Sequence, residues 1–308
     1  MTQISLPASD GHAVACFHWP QEKPRAVVQI AHGMGEHAQR YAWVAQQLNE
    51  AGFAVYANDH RGHGLTAERR NEAPVWGYMG PDGWNRTLAD MYELNQLIRQ
   101  TYAELPVVLL GHSMGAMLSQ QYITRHGSSI DALVLSGSPG FKTGFATLIT
   151  RLLGHVEAMR LGPDQASDVL QKMLFGSANK PFEGEDASGF EWLSRDPDEV
   201  AKYVTDEACG FVLTTGSLLD MSYGTRAAQQ QRHLQKVPDT LPVYVLSGVD
   251  DPVHGEQKDL HRMLMALNNA GMQSPTVQWY PGGRHEMFNE TNKDEVVAQM
   301  INWINQVI

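Results

Sequence analysis

The stretch Val107-Val-Leu-Leu-Gly-His-Ser-Met-Gly-Ala116 joins an apolar run to a serine flanked by glycines. Residues 107–110 are typical of a buried strand, and residues 116–125 have the apolar spacing of a helix. The serine between them completes the pattern G-x-S-x-G at a strand–turn–helix junction. Such a turn is so sharp that only small residues, here Gly111 and Gly115, let strand and helix pass closely. The pattern predicts that Ser113 is a nucleophile next to a helix N-terminus, which favours negative charge.

Apolar strands and amphipathic helices alternate on both sides of this stretch. The alternation is typical of a mostly parallel sheet covered by helices on both faces, so we expect an α/β fold. Besides the strand at 107–110, strands are predicted at 13–19, 26–31, 53–57, 132–136, 241–247 and 276–280, and helices at 41–51, 82–102, 256–270 and 294–308.

The alternation stops between the strand that ends at Ser136 and the one that begins at Leu241. A gap of about 100 residues is far longer than an ordinary connection in an α/β fold, so it predicts an inserted unit. We therefore expect a catalytic core of residues 1–136 and 240–308, with residues 137–239 forming a helical cap over the carboxyl ends of the strands. Helices are predicted in the insertion at 143–154, 165–174, 198–205 and 211–232.

Composition excludes several classes of protein. The chain has 308 residues and a formal net charge of −11, which argues against nucleic-acid binding and against docking on anionic membranes. Cys16 and Cys209 form no disulfide framework. There is no apolar run long enough to span a bilayer and no signal-peptide pattern at the N-terminus, so a cytoplasmic protein is expected. The oligomeric state stays open.

A serine nucleophile needs a histidine to accept its proton and an acid to orient that histidine. In this architecture the acid and then the histidine follow the serine, each after a late strand. His285 follows the strand at 276–280, and two adjacent acids, Asp250 and Asp251, follow the strand at 241–247. Asp251 is favoured because Pro252 restricts its backbone to extended conformations.

The tetrahedral intermediate also needs two N–H donors. The amide of Met114, after the nucleophile, is one candidate, and the amide of Met34 in His32-Gly-Met-Gly35 is the other. Two histidines beside Asp59, His60 and His63, suggest a metal site, but their spacing matches no familiar ligand set. We expect His112 to pack within the elbow and the remaining histidines to lie at the surface or in turns, namely His12, His18, His126, His155, His233, His254 and His261.

With these residues in place, the chain resembles the α/β-hydrolase superfamily, and within it the bacterial monoacylglycerol lipase and lysophospholipase branch that is often grouped with serine aminopeptidases of the S33 type. The resemblance implies Ser113 as nucleophile, Asp251 as acid, His285 as base, and Met34 and Met114 as oxyanion donors. It covers nearly all of the catalytic core and is thinner in the insertion. Four stretches carry it: 31–37 with Arg40-Tyr41, 59–64, 111–115 and 280–286.

The expected activity is hydrolysis of carboxylic esters through an acyl-enzyme, without cofactor or metal, on a small ester substrate that is lipid-derived in the resembling proteins. An amidase or aminopeptidase on the same residues is the alternative, and a non-catalytic binding module is the alternative outside enzymes. Apolar residues of the insertion are consistent with an acyl-chain slot, although apolar helix faces are also typical of a core. These residues are Leu148, Leu152, Leu153, Met159, Leu170, Met173, Leu174 and Phe175.

Overall fold

The fold is built around one eight-stranded sheet, seen in a computed structural model that describes residues 1–142 and 145–308. The strand order is β1-β2-β4-β3-β7-β8-β9-β10; β1–β2 and β2–β4 pair antiparallel and all other neighbours pair parallel. The predicted α/β architecture, a mostly parallel sheet with helices on both faces, is confirmed. The strands of this sheet are β1 Thr2–Pro7, β2 Ala13–Trp19, β3 Ala26–Ala31, β4 Phe53–Asn58, β7 Val107–His112, β8 Ala132–Ser136, β9 Val243–Gly248 and β10 Thr276–Tyr280, and the small pair is β5 Arg69–Arg70 with β6 Ala73–Pro74.

Helices cover both faces because the central strands are apolar on both sides. β3, β4, β7, β8 and β9 are buried along their whole length, and they divide the core into two apolar clusters, one on each face. The helices are α1 Ala42–Glu50, α2 Gly83–Thr101, α3 Met114–His126, α4 Phe145–Leu161, α5 Asp168–Phe175, α6 Pro197–Thr205, α7 Thr215–Ala228, α8 Gln231–Leu234, α9 Lys258–Asn269 and α10 Lys293–Val307. In the described part of the chain, no helix is both long and apolar enough to cross a bilayer.

Five helices, α4 to α8, lie between β8 and β9, where the sequence predicts an insertion. The predicted helix 143–154 extends further, to Leu161, and its predicted start at Thr143 lies outside the described residues. The predicted helix 211–232 is wrong in its extent, because it is two helices separated by a break after Ala228.

The N-terminal strand β1 has no counterpart in the sequence-based assignment. It pairs antiparallel with β2 at the sheet edge, from Thr2 opposite His18 to Pro7 opposite Ala13. Its side chains are partly buried only at Ile4 and Leu6. The only signal for this strand was therefore a weak apolar alternation.

Candidate active site

Ser113 occupies the turn between β7 and α3 in a conformation that L-residues rarely adopt. Its φ is 51° and its ψ is −113°. The flanking glycines are needed for packing rather than for their own φ: a methyl group at Gly111 would meet the Oγ of Ser119, and one at Gly115 would meet the carbonyl of Ala31 in β3. The turn thus holds the serine at the carboxyl end of the central strand, and the strain in its backbone is supported by close packing on both sides.

The structure brings Ser113, His285 and Asp251 into one hydrogen-bonded chain. Nε2 of His285 lies 2.9 Å from the Oγ of Ser113, and Nδ1 lies 3.0 Å from Oδ2 of Asp251. The other carboxylate oxygen of Asp251 accepts a hydrogen bond from the amide of Val253 at 2.8 Å. His285 and Asp251 are both buried. Asp250, the competing acid, is exposed, and its backbone amide donates to the carbonyl of Gly283.

The charges of the buried pair stabilise each other. Burial alone would raise the pKa of Asp251, but the charge of His285 and the hydrogen bond to it outweigh burial and lower that pKa. Burial likewise disfavours the imidazolium of His285, yet the Asp251 carboxylate outweighs it and raises the pKa of His285 above 6.5. The arrangement therefore favours a histidine that can accept a proton next to an ionised acid.

Met34 and Met114, whose amides are the predicted oxyanion donors, lie at the cavity in front of Ser113. Both residues line that cavity, and within residues 1–142 and 145–308 neither N–H has an acceptor. The Met34 loop approaches the serine closely, since a methyl group at Gly33 would lie 3.3 Å from the Cβ of Ser113. Two free donors near the serine are the arrangement that an oxyanion requires.

A buried ion-pair network holds the Met34 loop to the His285 loop. Arg40 donates to Glu36 at 2.7 Å and to both carboxylate oxygens of Glu286, at 2.7 and 2.8 Å. Glu36 also accepts from the amide of Gly33 at 2.5 Å and from the hydroxyl of Tyr41 at 2.9 Å. We call Glu36, Arg40 and Glu286 the buried network. Since Glu286 directly follows His285, the network fixes both loops of the site relative to each other.

Two residues near the site were not predicted from the sequence: Trp192, which contacts His285, and His254, which lies in the Asp251 loop. Trp192, from the segment between β8 and β9, packs its ring on His285 with centroids 4.9 Å apart, and its carbonyl accepts the His285 amide at 3.3 Å. His254, expected at the surface, is instead buried in the Asp251 loop. Its Nε2 lies 3.0 Å from the carbonyl of Gly248, and its Nδ1 accepts from the amide of Gln257 at 2.9 Å. The position of His254 three residues after Asp251 was the available signal.

His60 and His63 are structural residues in a buried histidine cluster with His32. The ring of His32 lies 4.2 Å from that of His60 and 5.2 Å from that of His63. Nδ1 of His32 faces the carbonyl of Gly33 at 2.7 Å, and Nε2 accepts the amide of His60 at 2.9 Å. Burial lowers the pKa of His32 and of His63 to about 3 and that of His60 well below its usual value. The cluster is therefore neutral and supports the turn that precedes Met34.

His112 also packs within the elbow, as expected. Its ring lies 4.9 Å from that of His285, and its Nδ1 lies 3.3 Å from the Oγ of Ser136. Burial, assisted by the charge of His285, lowers the pKa of His112 to about 4. His112 is therefore neutral at ordinary pH. It contacts Ser136, whereas the Oγ of Ser113 is contacted by His285.

Ser113 opens into a cavity of about 990 Å³ that is lined by both the sheet loops and the segment between β8 and β9. Of the insertion residues considered for an acyl-chain slot, Leu148, Leu170, Met173, Leu174 and Phe175 line it. The others do not. Leu152 and Met159 are 63% and 81% exposed, and Leu153 packs against the core.

A sequence model of the family described as "Serine aminopeptidase, S33" matches residues 22–292. The chain belongs to that family. Among curated relatives, the monoacylglycerol lipase of Mycolicibacterium smegmatis is 29% identical over 289 residues, covering 92% of this chain and 90% of the relative. The monoglyceride lipase of Homo sapiens is 27% identical over 308 residues, covering 98% of this chain and 89% of the relative.

Solved structures agree with the family. A thermostable carboxyl esterase from Bacillus coagulans, in complex with glycerol, superposes with a TM-score of 0.88 at 29% identity, over 99% of this chain and 98% of that one. The predicted resemblance to the monoacylglycerol lipase branch is therefore confirmed. The chain is a serine ester hydrolase of the α/β-hydrolase fold.

Proposed function

We propose that this chain hydrolyses carboxylic esters through an acyl-enzyme on Ser113. His285 accepts the hydroxyl proton through Nε2 while the Oγ attacks the ester carbonyl, and Asp251 stabilises the imidazolium that results. The oxyanion accepts hydrogen bonds from the amides of Met34 and Met114. As the intermediate collapses, the alcohol leaves with the proton from His285. Water then attacks the acyl-enzyme with His285 again as base, which releases the acid and restores Ser113.

The observation that carries the proposal is the hydrogen-bonded chain from Ser113 through His285 to Asp251 at one end of a large cavity. Each atom has the partner that its role requires: Nε2 of His285 faces the serine, and Nδ1 faces the carboxylate. Two free amides lie beside the serine. A non-catalytic binding module would have no use for this chain of contacts.

The proposed substrate is a monoacylglycerol-like or lysophospholipid-like ester with one acyl chain. The names of the relatives support the monoacylglycerol-like ester. The apolar side chains that line the cavity, such as Leu170, Phe175 and Leu218, support a single acyl chain in either substrate. We assign the choice of substrate to residues 137–239, acting as a cap over a catalytic core of residues 1–136 and 240–308. Trp192 and Leu218 reach the cavity from that segment.

An aminopeptidase would need a free carboxylate to bind the ammonium group of its substrate. Three of the four acids of the cavity wall are paired with arginines: Glu36 and Glu286 with Arg40, and Asp259 with Arg262. The fourth, Asp168, is exposed in the first turn of α5. The two acids of the loops next to Ser113, Glu36 and Glu286, are thus already paired, which favours an ester over an N-terminal amide.

A fluorophosphonate probe and a substrate panel test the proposal together. The probe is expected to label the wild type and to leave Ser113→Ala unlabelled. The panel compares p-nitrophenyl esters of increasing acyl length, a monoacylglycerol and an aminoacyl amide. We expect turnover of the esters and negligible turnover of the amide. Equal labelling of Ser113→Ala would refute the role of Ser113, and preference for the amide would refute the substrate class.

A further inference from the structure

Arg151 places a buried positive charge in the wall of the cavity. It is 6% exposed, and its guanidinium is held by Nε to the Oγ of Ser222 at 2.6 Å and by Nη2 to the carbonyl of Ser222 at 2.7 Å. The Cζ atom of Arg151 lies 5.2 Å from the ring centre of Tyr223. These contacts orient the side chain but carry no negative charge. A guanidinium with so little exposed surface normally has an acidic partner.

A second arginine adds to this charge. Arg226 lies on α7, one turn after Ser222; it lines the same cavity and is exposed to solvent. Burial and, second, the neighbouring charge of Arg226 lower the pKa of Arg151. No carboxylate pairs with either arginine among residues 1–142 and 145–308, and residues 143–147 include no acid.

The rest of the cavity wall does not neutralise the pair. Lys142 and Lys172 also line it, are exposed and have no ion-pair partner in the described part of the chain. Three of the four acids in the wall are bound to arginines, as described above; the fourth, Asp168, is exposed in the first turn of α5. Counting Arg40 and Arg262 with the lining residues, six positive side chains stand against four carboxylates here, in a chain whose net charge is −11.

We propose that Arg151 and Arg226 form an anion subsite, which selects esters that carry a phosphate or carboxylate group away from the reacting carbonyl. Two guanidinium groups can hold such an oxyanion by charge-assisted hydrogen bonds, one from the exposed Arg226 and one from Arg151, which is fixed in the wall. A bound anion would supply the charge that the pair lacks. The inference rests on the ester hydrolysis proposed above and narrows its substrate class.

Helix packing separates this subsite from Ser113. A side chain at Gly224 of α7 would meet Trp84 and Gln121, so α7 crosses α3 at that level. Gln121 lies seven residues after Met114, which corresponds to about 10 Å along α3. Met117 and Gln120 line the cavity between the two levels. The anion therefore belongs to the far end of the acyl chain or to an extended alcohol.

Two matched pairs of substrates distinguish these sources. A monoacylglycerol and its phosphate ester, a lysophosphatidic acid, place the anion on the alcohol. The p-nitrophenyl esters of octanoic acid and of suberic acid place a carboxylate at the end of an acyl chain of equal length. We expect kcat/KM to be higher for the anionic member in at least one pair, by about 10- to 100-fold, as for charge-assisted contacts of this kind.

Variants at Arg226 test the assignment, because this side chain is exposed and its replacement does not disturb the core. Arg226→Gln should remove most of the preference for the anionic ester, Arg226→Glu should reverse it, and Arg226→Lys should retain part of it. Arg232→Gln on α8, an exposed arginine outside the cavity wall, is the matched control and should keep the wild-type ratio.

Two results would overturn the subsite: a wild type with no preference in either pair, or a preference that Arg226→Glu leaves unchanged. Both results can be distinguished from failure of the proposed ester hydrolysis at Ser113. If that proposal failed, Ser113→Ala would hydrolyse the neutral esters as fast as the wild type. Fluorophosphonate labelling of each Arg226 variant shows that its active site is intact.

Discussion

Arg40 holds the carboxylate of Glu286 by two parallel hydrogen bonds, at 2.7 and 2.8 Å, and Glu286 is the residue after His285. The same guanidinium binds Glu36, whose carboxylate accepts the Gly33 amide. Arg40 lies under the ring of Tyr203 at 4.8 Å, so the segment between β8 and β9 also rests on this residue. One side chain thus joins the proposed oxyanion loop, the proposed base and the proposed cap.

Arg40→Met should lower the free energy of unfolding by about 3–5 kcal/mol, because it leaves two buried carboxylates without a partner. Arg40→Lys should recover part of the loss, since an ammonium keeps the charge but not the two parallel hydrogen bonds. Urea unfolding measures both. The matched control is Arg70→Met, whose ion pairs with Glu68 and Asp164 are exposed, and which should change the free energy of unfolding far less. Similar losses for Arg40→Met and Arg70→Met would contradict a supporting role for the buried network.

Asp251→Asn should reduce kcat on the order of 10⁴-fold while leaving the fold intact, because an amide in place of the carboxylate stabilises the wrong tautomer of His285. Asp250→Asn should stay close to the wild type, since that side chain is exposed and makes no contact with His285. Steady-state hydrolysis of a p-nitrophenyl ester compares the two variants. A larger loss at Asp250 than at Asp251 would reverse the assignment of the acid.

Hydrolysis should lose rate as the pH falls through an apparent pKa above 6.5, because His285 must be neutral to accept the serine proton and Asp251 raises its pKa despite burial. The acidic limb of kcat/KM against pH reports this value for the free enzyme. In Asp251→Asn the limb should move to lower pH, because burial then acts on His285 without its main anionic partner. A wild-type limb centred below 6.5 would disagree with the observed pairing.

Most of the sheet and of the serine site was predictable from sequence because the signals are local. Strands β2, β3, β8 and β10 coincide with the predicted ranges 13–19, 26–31, 132–136 and 276–280. A nearly continuous apolar run identifies most of these strands. For the site, the order serine, acid, histidine predicts three residues at the carboxyl ends of β7, β9 and β10, and the Pro252 constraint favours the acid that contacts His285.

The remaining features depend on contacts between distant parts of the chain. Glu36 and Arg40 are four residues apart, but nothing local shows that Glu286, 246 residues from Arg40, completes their network. Trp192 reaches His285 from a segment whose helices have apolar residues on several sides. In α4, Leu148 and Leu152 are similarly exposed, at 58% and 63%, but of these two only Leu148 lines the cavity, so periodicity alone could not identify the residue that does.

The buried histidine cluster should make the fold sensitive to acid. The pKa of His32 and of His63 is about 3 in the folded chain, from an ordinary value of 6.5, because burial excludes the charged form. Between pH 6.5 and pH 3 the unfolded chain binds protons that the folded chain does not. The free energy of unfolding therefore has its full value, as far as these histidines determine it, above pH 6.5 and falls as the pH is lowered toward 3. Each such histidine contributes at most about 1.4 kcal/mol per pH unit to that fall. Protonated His32 would also lose the hydrogen bond that its Nε2 accepts from His60.

Urea unfolding between pH ~7 and pH ~5 measures this dependence. His63→Phe keeps a ring against Phe211, whose centroid lies 5.0 Å away, and removes one of the titrating groups. It also loses the contact of Nδ1 with the carbonyl of Arg61, so it should be less stable than the wild type near neutral pH but lose less stability on acidification. His261→Asn, at an exposed position of α9, should keep the wild-type slope. If His63→Phe and His261→Asn have the same slope, the acid sensitivity originates outside the cluster.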